Sequence, residues 1–295
     1  MENFYEVVII GGGPAGLTAA LYLGRAGVKT LVIEGGDGFG GQMTISPLLE
    51  NVPGFYGPGA DLTCDIMDQI VKYESLSFEY EEVRKVEHTA GWEHRFRTTL
   101  QTGDSFYSNY VIAATGARPI NLDVPGEERD HVHYCATCDG AFYKGKSVAV
   151  VGGGNSAMQY ALELAEYCRV VSICTNEPEL HGEQNLIDKV KSKENIRVYP
   201  CFETIEITDE QIRAKGGYGL IVDGIFIAIG HKPKTNYYDN CAKEHGFFLT
   251  DDYCAVNSQG FYAVGDCRKK PFNQVVIAMA DGCIAALDIV RKLVN

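Results

Sequence analysis

One strand–turn–helix–strand pattern occurs twice in this chain, and that repeat constrains the fold more than any other feature. The first copy runs Val7-Val8-Ile9-Ile10 into Gly11-Gly12-Gly13-Pro14-Ala15-Gly16, continues as an apolar helix-like stretch to Gly27, and ends on residues 29–34. The second runs Val148-Ala149-Val150-Val151 into Gly152-Gly153-Gly154-Asn155-Ser156-Ala157, then a helix-like stretch over 158–167 and a strand-like one over 169–174. Corresponding turn positions (Gly11 and Gly152, Gly13 and Gly154, Gly16 and Ala157) are 141 residues apart. Continuous apolar strands imply a parallel sheet buried on both faces, and the crossovers should be right-handed. The first glycine of such a turn permits the tight bend, the second lets a pyrophosphate approach the backbone, and the small third residue lets helix and strand pack closely. The phosphates then rest on the helix N-terminus, where free N–H groups and the dipole favour negative charge. One such turn also occurs in ordinary βαβ units; two, each between a strand and a helix, point to two nucleotide-binding-type domains.

The 295 residues suffice for two domains with separate cores. Residues 110–116, 224–230 and 260–266 read as further strands running into turns, and 274–294 as a helix. The stretches 115–119 and 230–235 are rich in Gly, Pro and polar residues and read as two linkers. The expected fold class is α/β, two Rossmann-like three-layer domains with the second inserted in the first. Residues 1–116 and 236–295 form the split host, and 117–235 the insert. The 26 basic residues against 39 acidic give a net charge of −13, which argues against nucleic acid and anionic membranes as partners. With no spanning apolar run and no basic signal-peptide start, a cytoplasmic protein is expected. Of 10 cysteines, only Cys135 and Cys138 form a C-x-x-C pair. The other eight read as reduced, buried, small hydrophobes.

Three groups carry candidate chemistry. Glu34 lies 18 residues after Gly16 at a strand end, where a carboxylate accepts ribose hydroxyls and repels a 2′-phosphate. The first repeat should therefore hold the ADP part of FAD or NAD. The Gly265-Asp266 turn puts a second carboxylate at a strand end, suited to a polyol such as a ribityl chain. The helix starting near Gln274-Val275 aims its positive end at a reduced flavin. Cys135-Ala136-Thr137-Cys138 can close a redox-active disulfide, with Asp139 as general acid toward the leaving thiolate. Two other readings of the pair stay open at this point: a metal site drawing on His131 and His133, and a structural cross-link.

Gly11–Gly16, Gly40-Gly41-Gln42, Glu50-Asn51-Val52-Pro53-Gly54, Ala114-Thr115-Gly116-Ala117-Arg118-Pro119, Cys135-Ala136-Thr137-Cys138-Asp139-Gly140, Gly152–Ala157, Gly230-His231-Lys232-Pro233 and Gly265-Asp266 together resemble the low-molecular-weight thioredoxin reductases, in order and in spacing. The resemblance covers nearly the whole chain. It implies a homodimeric flavoprotein whose split domain binds FAD and whose inserted domain carries the disulfide. It places Gly41, Gln42, Asn51, Gln274 and Val275 near the flavin, and Thr115 and Gly116 count among the expected cofactor-binding residues. It also implies that the inserted domain rotates, so that Cys138 faces the flavin in one state and Cys135 attacks thioredoxin in the other.

The pattern departs from the family at one place. Where the family carries His-Arg-Arg and a later Arg for the NADPH 2′-phosphate, this chain has Thr175-Asn176-Glu177-Pro178 and His181, and no arginine occurs between Arg169 and Arg197. A dianionic phosphate would meet Glu177 and Glu179 in place of a guanidinium fork. Thr175, at the position matching Glu34, is not acidic either, so NADH is not clearly substituted. The segment 196–230 also reads as shorter than the family's strand meander, with two strand-like runs, 202–207 and 220–229, flanking a polar connection. These departures resemble a branch of the family that does not use NADPH, some members of which are reduced by ferredoxin; with ferredoxin as the expected donor, Arg268-Lys269-Lys270 is a candidate basic docking patch. NADPH- or NADH-dependent reduction of thioredoxin, a peroxide or oxygen reductase, and an FAD-binding redox sensor without turnover are the rival readings.

Overall fold

The structure, a computed structural model, describes residues 3–294 apart from 37, 45, 47, 90–94 and 258. It divides into two compact units, Met1–Arg118 with Pro233–Asn295, and Pro119–Lys232.

The first unit opens with β1 (Phe4–Ile10), α1 (Pro14–Arg25) and β2 (Thr30–Ile33). A hairpin of β3 (Leu49–Val52) and β4 (Phe55–Gly57) leads into α2 (Gly59–Ile70), β5 (Leu76–Glu79), β6 (Val83–His88), β7 (Phe96–Leu100) and β8 (Ser105–Ala113). The short β9 (Ala117–Pro119) closes this part of the chain. The second unit holds β10 (Val132–His133), α3 (Ala136–Asp139), β11 (Ser147–Val151), α4 (Asn155–Leu164), β12 (Val170–Cys174), α5 (Gln184–Ser192) and β13 (Ile196–Tyr199). It continues with β14 (Thr204–Ile207), β15 (Gln211–Ala214), β16 (Gly219–Ile221) and β17 (Gly224–Ile227). After β18 (His231–Pro233) the chain re-enters the first unit with β19 (Lys243–Glu244), β20 (Phe247–Phe248), β21 (Phe261–Ala263) and α6 (Val275–Val294).

The main sheet of the first unit has the order β5-β2-β1-β8-β7-β6, with β21 also on β8. Strands β5, β2, β1, β8 and β21 are mutually parallel, and the β6–β7–β8 meander is antiparallel. Every residue from Val7 to Ile10 is buried, because both faces of β1 are covered. Val7 and Ile9 join Leu17, Ala20, Leu23 and the α6 residues Ala285 and Ile289 in one core; Val8 and Ile10 join Leu31, Val111 and Phe261 in another. Helix α1 starts on Gly13 with Pro14 in its first turn, where the missing N–H costs nothing. At Gly282 of α6 a Cβ would run into the Ala15 carbonyl oxygen, so glycine is what lets α6 lie against α1.

In the second unit a five-stranded parallel sheet, β10-β17-β11-β12-β13, packs α4 through Ala157, Ala161 and Leu164 on one face. Its other face buries Ala149, Val151 and Ile227 against the three-stranded antiparallel sheet β14-β15-β16. That small sheet corrects the expectation of a plain polar connection. Residues 211–214 form β15, with Ile212 and Ala214 buried and Arg213 exposed. Two buried side chains in a polar run are too weak an alternation to read from sequence. No helix among the described residues is long and apolar enough to cross a membrane.

Candidate active site

Within the first unit the carboxyl ends of β1, β2, β8 and β21 bring the expected residues together. Gly11 bends the chain at φ +108°, and its N–H donates to the Ile33 carbonyl at 2.7 Å. A Cβ here would run into the Ala114 carbonyl oxygen, and one on Gly16 would run into the carbonyl oxygen of Gly11. Gly13, by contrast, opens onto empty space, with no atom within 4 Å of where a Cβ would stand. The Gly41–Met43 turn is tied to this bend by the Gly40 N–H, which donates to the Gly12 carbonyl at 2.7 Å.

Glu34 is half-buried and works as a clamp on the same bend. Its two carboxylate oxygens accept the Gly12 N–H at 2.5 Å and the Gly36 N–H at 2.6 Å. Each oxygen keeps further acceptor capacity for ribose hydroxyls. Gln42 donates to the Ala117 carbonyl. Asn51 and Gln274, 223 residues apart in sequence, meet side chain to side chain at 3.1 Å, just before α6 starts at Val275. The Thr115 hydroxyl donates to the Lys234 carbonyl and lies 3.2 Å from the Tyr237 hydroxyl, and Gly116 follows at φ +64°.

The Gly265-Asp266 turn is held from behind by a buried acid that sequence reading missed. Asp281 of α6, 3% exposed, accepts the Gly265 N–H at 3.0 Å. It also takes Arg268 through two bonds, at 2.9 and 2.7 Å, and Lys270 at 3.4 Å. Lys270 Nζ also lies 3.1 Å from the buried Oδ1 of Asp266, so this lysine is shared between Asp281 and Asp266. An aspartate inside an otherwise apolar helix was the signal available in the sequence. The cluster also corrects the docking-patch reading of residues 268–270. Arg268 and Lys270 are consumed by Asp281, and Lys269 pairs with Glu244.

In the second unit Cys135 and Cys138 form a disulfide, with Cα atoms 5.3 Å apart. Cys135 caps the single turn of α3, its sulfur accepting the Cys138 N–H at 3.2 Å. The Asp139 N–H donates to the Cys135 carbonyl at 3.2 Å, which fixes Asp139 beside the pair. Both sulfurs are bonded to each other, and among the described residues no group of three or more His, Cys, Asp or Glu is arranged to hold a metal ion.

The second glycine turn repeats the geometry of the first but presents a different face. Gly152 has φ +133° with the Ala228 carbonyl against it, as Gly11 has Ala114. The His181 N–H donates to the Gly153 carbonyl at 3.0 Å. Its imidazole stands 3.3 Å from where a Cβ on Gly154 would be, the position that is open at Gly13. Asn155, first residue of α4, accepts the Glu183 N–H at 2.8 Å, and Glu183 Oε1 lies 3.5 Å from the Asn155 amide nitrogen. The Thr175 hydroxyl accepts the Glu177 N–H at 3.2 Å. A carboxylate and an imidazole thus attend this turn, and among the described residues no guanidinium is bonded to it.

Four of the remaining cysteines are buried. Burial pushes the Cys168 and Cys267 thiols up to about 11 and those of Cys174 and Cys254 up to about 12, which keeps them as inert thiols. Cys64, on α2, and Cys201, in the turn between β13 and β14, are exposed, against expectation.

Residues 5–282 match the family model described as pyridine nucleotide-disulphide oxidoreductase. The chain belongs to that family. Within it, the chain is similar to a thioredoxin reductase of Listeria monocytogenes, 36% identical over 300 residues covering 96% of this chain and 92% of that one. A "34.2 kDa protein in rubredoxin operon" of Clostridium pasteurianum is 34% identical, with 97% and 96% covered. The NADH dehydrogenase of Bacillus subtilis is 32% identical over 99% of this chain, which spans only 59% of that relative's length. The crystal structure of a thioredoxin reductase from Streptococcus pyogenes superposes with a TM-score of 0.90 at 30% identity, covering 99% of both chains. This pyridine nucleotide-disulphide oxidoreductase is therefore a flavin disulfide oxidoreductase of the thioredoxin reductase type, with FAD as cofactor. Its residues fit that group. The first glycine turn is open where a pyrophosphate needs room, and Glu34 beside it keeps free acceptor capacity for ribose hydroxyls.

Proposed function

We propose that the chain is an FAD-dependent thioredoxin-disulfide reductase that passes electron pairs through the Cys135–Cys138 disulfide to thioredoxin, and that its electron donor is reduced ferredoxin in place of NADPH. Residues 1–116 and 236–295 bind FAD, and 117–235 carry the disulfide. The adenosine half is held by Gly11, Gly13, Pro14, Ala15, Gly16 and Glu34. The flavin half is held by Gly41, Gln42, Asn51, Thr115, Gly116, Gly265, Asp266, Gln274 and Val275. When bound, FAD supplies the electron pair that opens the disulfide. Cys135 then attacks the partner disulfide, Cys138 resolves the mixed disulfide, and Asp139 carries the protons.

The observation that carries the donor assignment is the contrast between the two glycine turns. The copy that would take a second dinucleotide faces His181 and Glu183 and lacks any arginine, whereas the first copy is open. A 2′-phosphate bearing nearly two negative charges has no fork to bind there. The names of the relatives divide on this point, one belonging to a rubredoxin operon and another being an NADH dehydrogenase. Unpaired buried thiols fit a reducing, cytoplasmic setting. Exposed Val276, Ile284 and Leu287 along α6 support a homodimer, a second copy covering that apolar stripe.

The test is an anaerobic titration of the oxidised yellow protein with NADPH, NADH and reduced ferredoxin in separate cells. Reduced ferredoxin should bleach the flavin and, with thioredoxin present, sustain thioredoxin reduction. Rapid stoichiometric bleaching by either nucleotide at micromolar concentration would overturn the donor assignment. A protein that bleaches yet never reduces thioredoxin would instead favour a redox sensor.

A further inference from the structure

His133, named so far only for the metal reading, is a largely buried polar side chain two residues before the disulfide. It ends β10, paired with Phe226 of β17, and its ring lies on the Phe226 ring with centroids 5.2 Å apart. Its side chain is only 15% exposed. Nδ1 lies 3.5 Å from Asp139 Oδ2, and Nε2 lies 2.6 Å from the Tyr143 hydroxyl. Tyr143 follows the disulfide on the 3-10 turn Gly140–Tyr143, so three successive elements meet at this imidazole.

We propose that His133, oriented by Tyr143, is a positioning residue that steers the Asp139 carboxylate for proton exchange with Cys135 and Cys138. This rests on the reading of Asp139 as proton carrier. The tautomer follows from the chain of bonds. Burial, with the charges of Asp139 and Asp223, pushes the Tyr143 phenol up to about 12, so it keeps its proton and can donate it to Nε2. The ring hydrogen then sits on Nδ1, the nitrogen that faces Asp139. At 3.5 Å the two atoms are in ion-pair range and not yet hydrogen-bonded; when the contact tightens in the reacting complex, the imidazole N–H on Oδ2 holds the carboxylate and leaves Oδ1 to move the proton.

The exchange balances with Asp139 unchanged at the end. Asp139 takes the Cys135 proton, and the Cys135 thiolate forms a bond to one partner sulfur as the partner S–S bond breaks. The departing thiolate takes the proton back from Asp139. Asp139 then takes the Cys138 proton, the Cys138 thiolate attacks Cys135 Sγ, and the second partner thiolate leaves and is protonated in turn. Two electrons and two protons pass from the enzyme dithiol to the partner, and the enzyme disulfide is re-formed.

The FAD-loaded enzyme, reduced anaerobically, is mixed with 2-hydroxyethyl disulfide, and dithiol loss is followed by acid quenching and thiol alkylation. A parallel series uses 5,5′-dithiobis(2-nitrobenzoate), whose aromatic thiolate leaves without a proton. His133→Ala should slow exchange with the alkyl disulfide by about tenfold, the value of one charge-assisted hydrogen bond, and with the aromatic one by less. His133→Asn, which keeps an N–H near Nδ1, should recover most of the rate. Tyr143→Phe should slow the parent enzyme but not the His133→Asn variant. Asp139→Asn should be at least as slow as His133→Ala, with no further loss in the double variant. If Asp139→Asn is slow while His133→Ala matches the parent, the His133 proposal fails and the Asp139 reading stands. An Asp139→Asn enzyme at parent rate would instead sink the Asp139 reading. An equal loss with both disulfides, unrelieved by Asn, would reduce His133 to a packing residue and overturn the proposal.

Discussion

Neutralising Asp281 should loosen the turn that presents Asp266, and the structure allows the cost to be worked out. The carboxylate is 3% exposed and faces Arg268 at 2.7 and 2.9 Å and Lys270 at 3.4 Å. At about 3 Å and an effective dielectric near 20, each of these charge pairs is worth on the order of 5 kcal/mol before desolvation is counted. Desolvation takes back much of that, and breaking a buried pair by removing one partner costs about 3–5 kcal/mol, because the other charge is left behind. Here the side chain left behind that matters most is Lys270, 2% exposed, which among the described residues keeps Asp266 as its remaining ion-pair partner. Asp281→Asn keeps one acceptor for the Gly265 N–H, so the loss should fall at the lower end, about 3 kcal/mol, a large share of the 5–15 kcal/mol typical of a domain. Urea unfolding at a fixed excess of free FAD, followed by the fluorescence of released flavin, reads this directly. The midpoint should drop by about 1 M for a slope near 3 kcal/mol per molar. A midpoint within about 0.2 M of the parent would mean that Asp266 and solvent already compensate both cations, and the reasoning would be wrong.

Glu34→Gln should weaken FAD by about tenfold or more in equilibrium binding, since an amide can accept from only one of Gly12 and Gly36 and turns a donor toward the other; unchanged affinity would remove Glu34 from the site. Cys138→Ser should abolish catalytic reduction of thioredoxin while leaving the protein yellow, and a parent-like turnover number would refute the assigned roles. Asp288 supplies the pH prediction. Burial alone would raise its carboxyl, but bonds from Lys292 and Tyr262 and the neighbouring Lys292 charge hold it below the usual range. A depressed carboxylate stabilises the fold above its unfolded value of about 3.9, and that contribution is lost as pH falls through the folded value. Melting temperatures of parent and Asp288→Asn should therefore differ most near neutrality and converge below about pH 4; a constant gap would exclude this linkage.

Much of the architecture was legible because it is written in short-range constraints. Strands buried on both faces must be apolar throughout, as Val7–Ile10 and Val148–Val151 are, and bends with carbonyls packed against them must be glycine, as at Gly11 and Gly152. The Cys135–Cys138 spacing and the missing arginines after β12 are likewise local facts. What stayed hidden depends on partners distant in sequence. The basic run 268–270 looked free until α6 placed Asp281 against it. Asn51 meets Gln274 only through folding, and β15 shows just two buried side chains in a polar stretch.

The amino-acid order alone thus settled that two glycine-turn domains exist, that a thiol pair sits before the second, and that no arginine follows the second turn between Arg169 and Arg197. Only the tertiary structure decided what each charged or titratable side chain is for: Glu34 clamping the first bend, His181 facing the second, Asp281 neutralising two cations, His133 bridging Tyr143 and Asp139. Chain geometry acts within a few residues, whereas a charge or a proton acts on whatever the fold brings within about 4 Å of it.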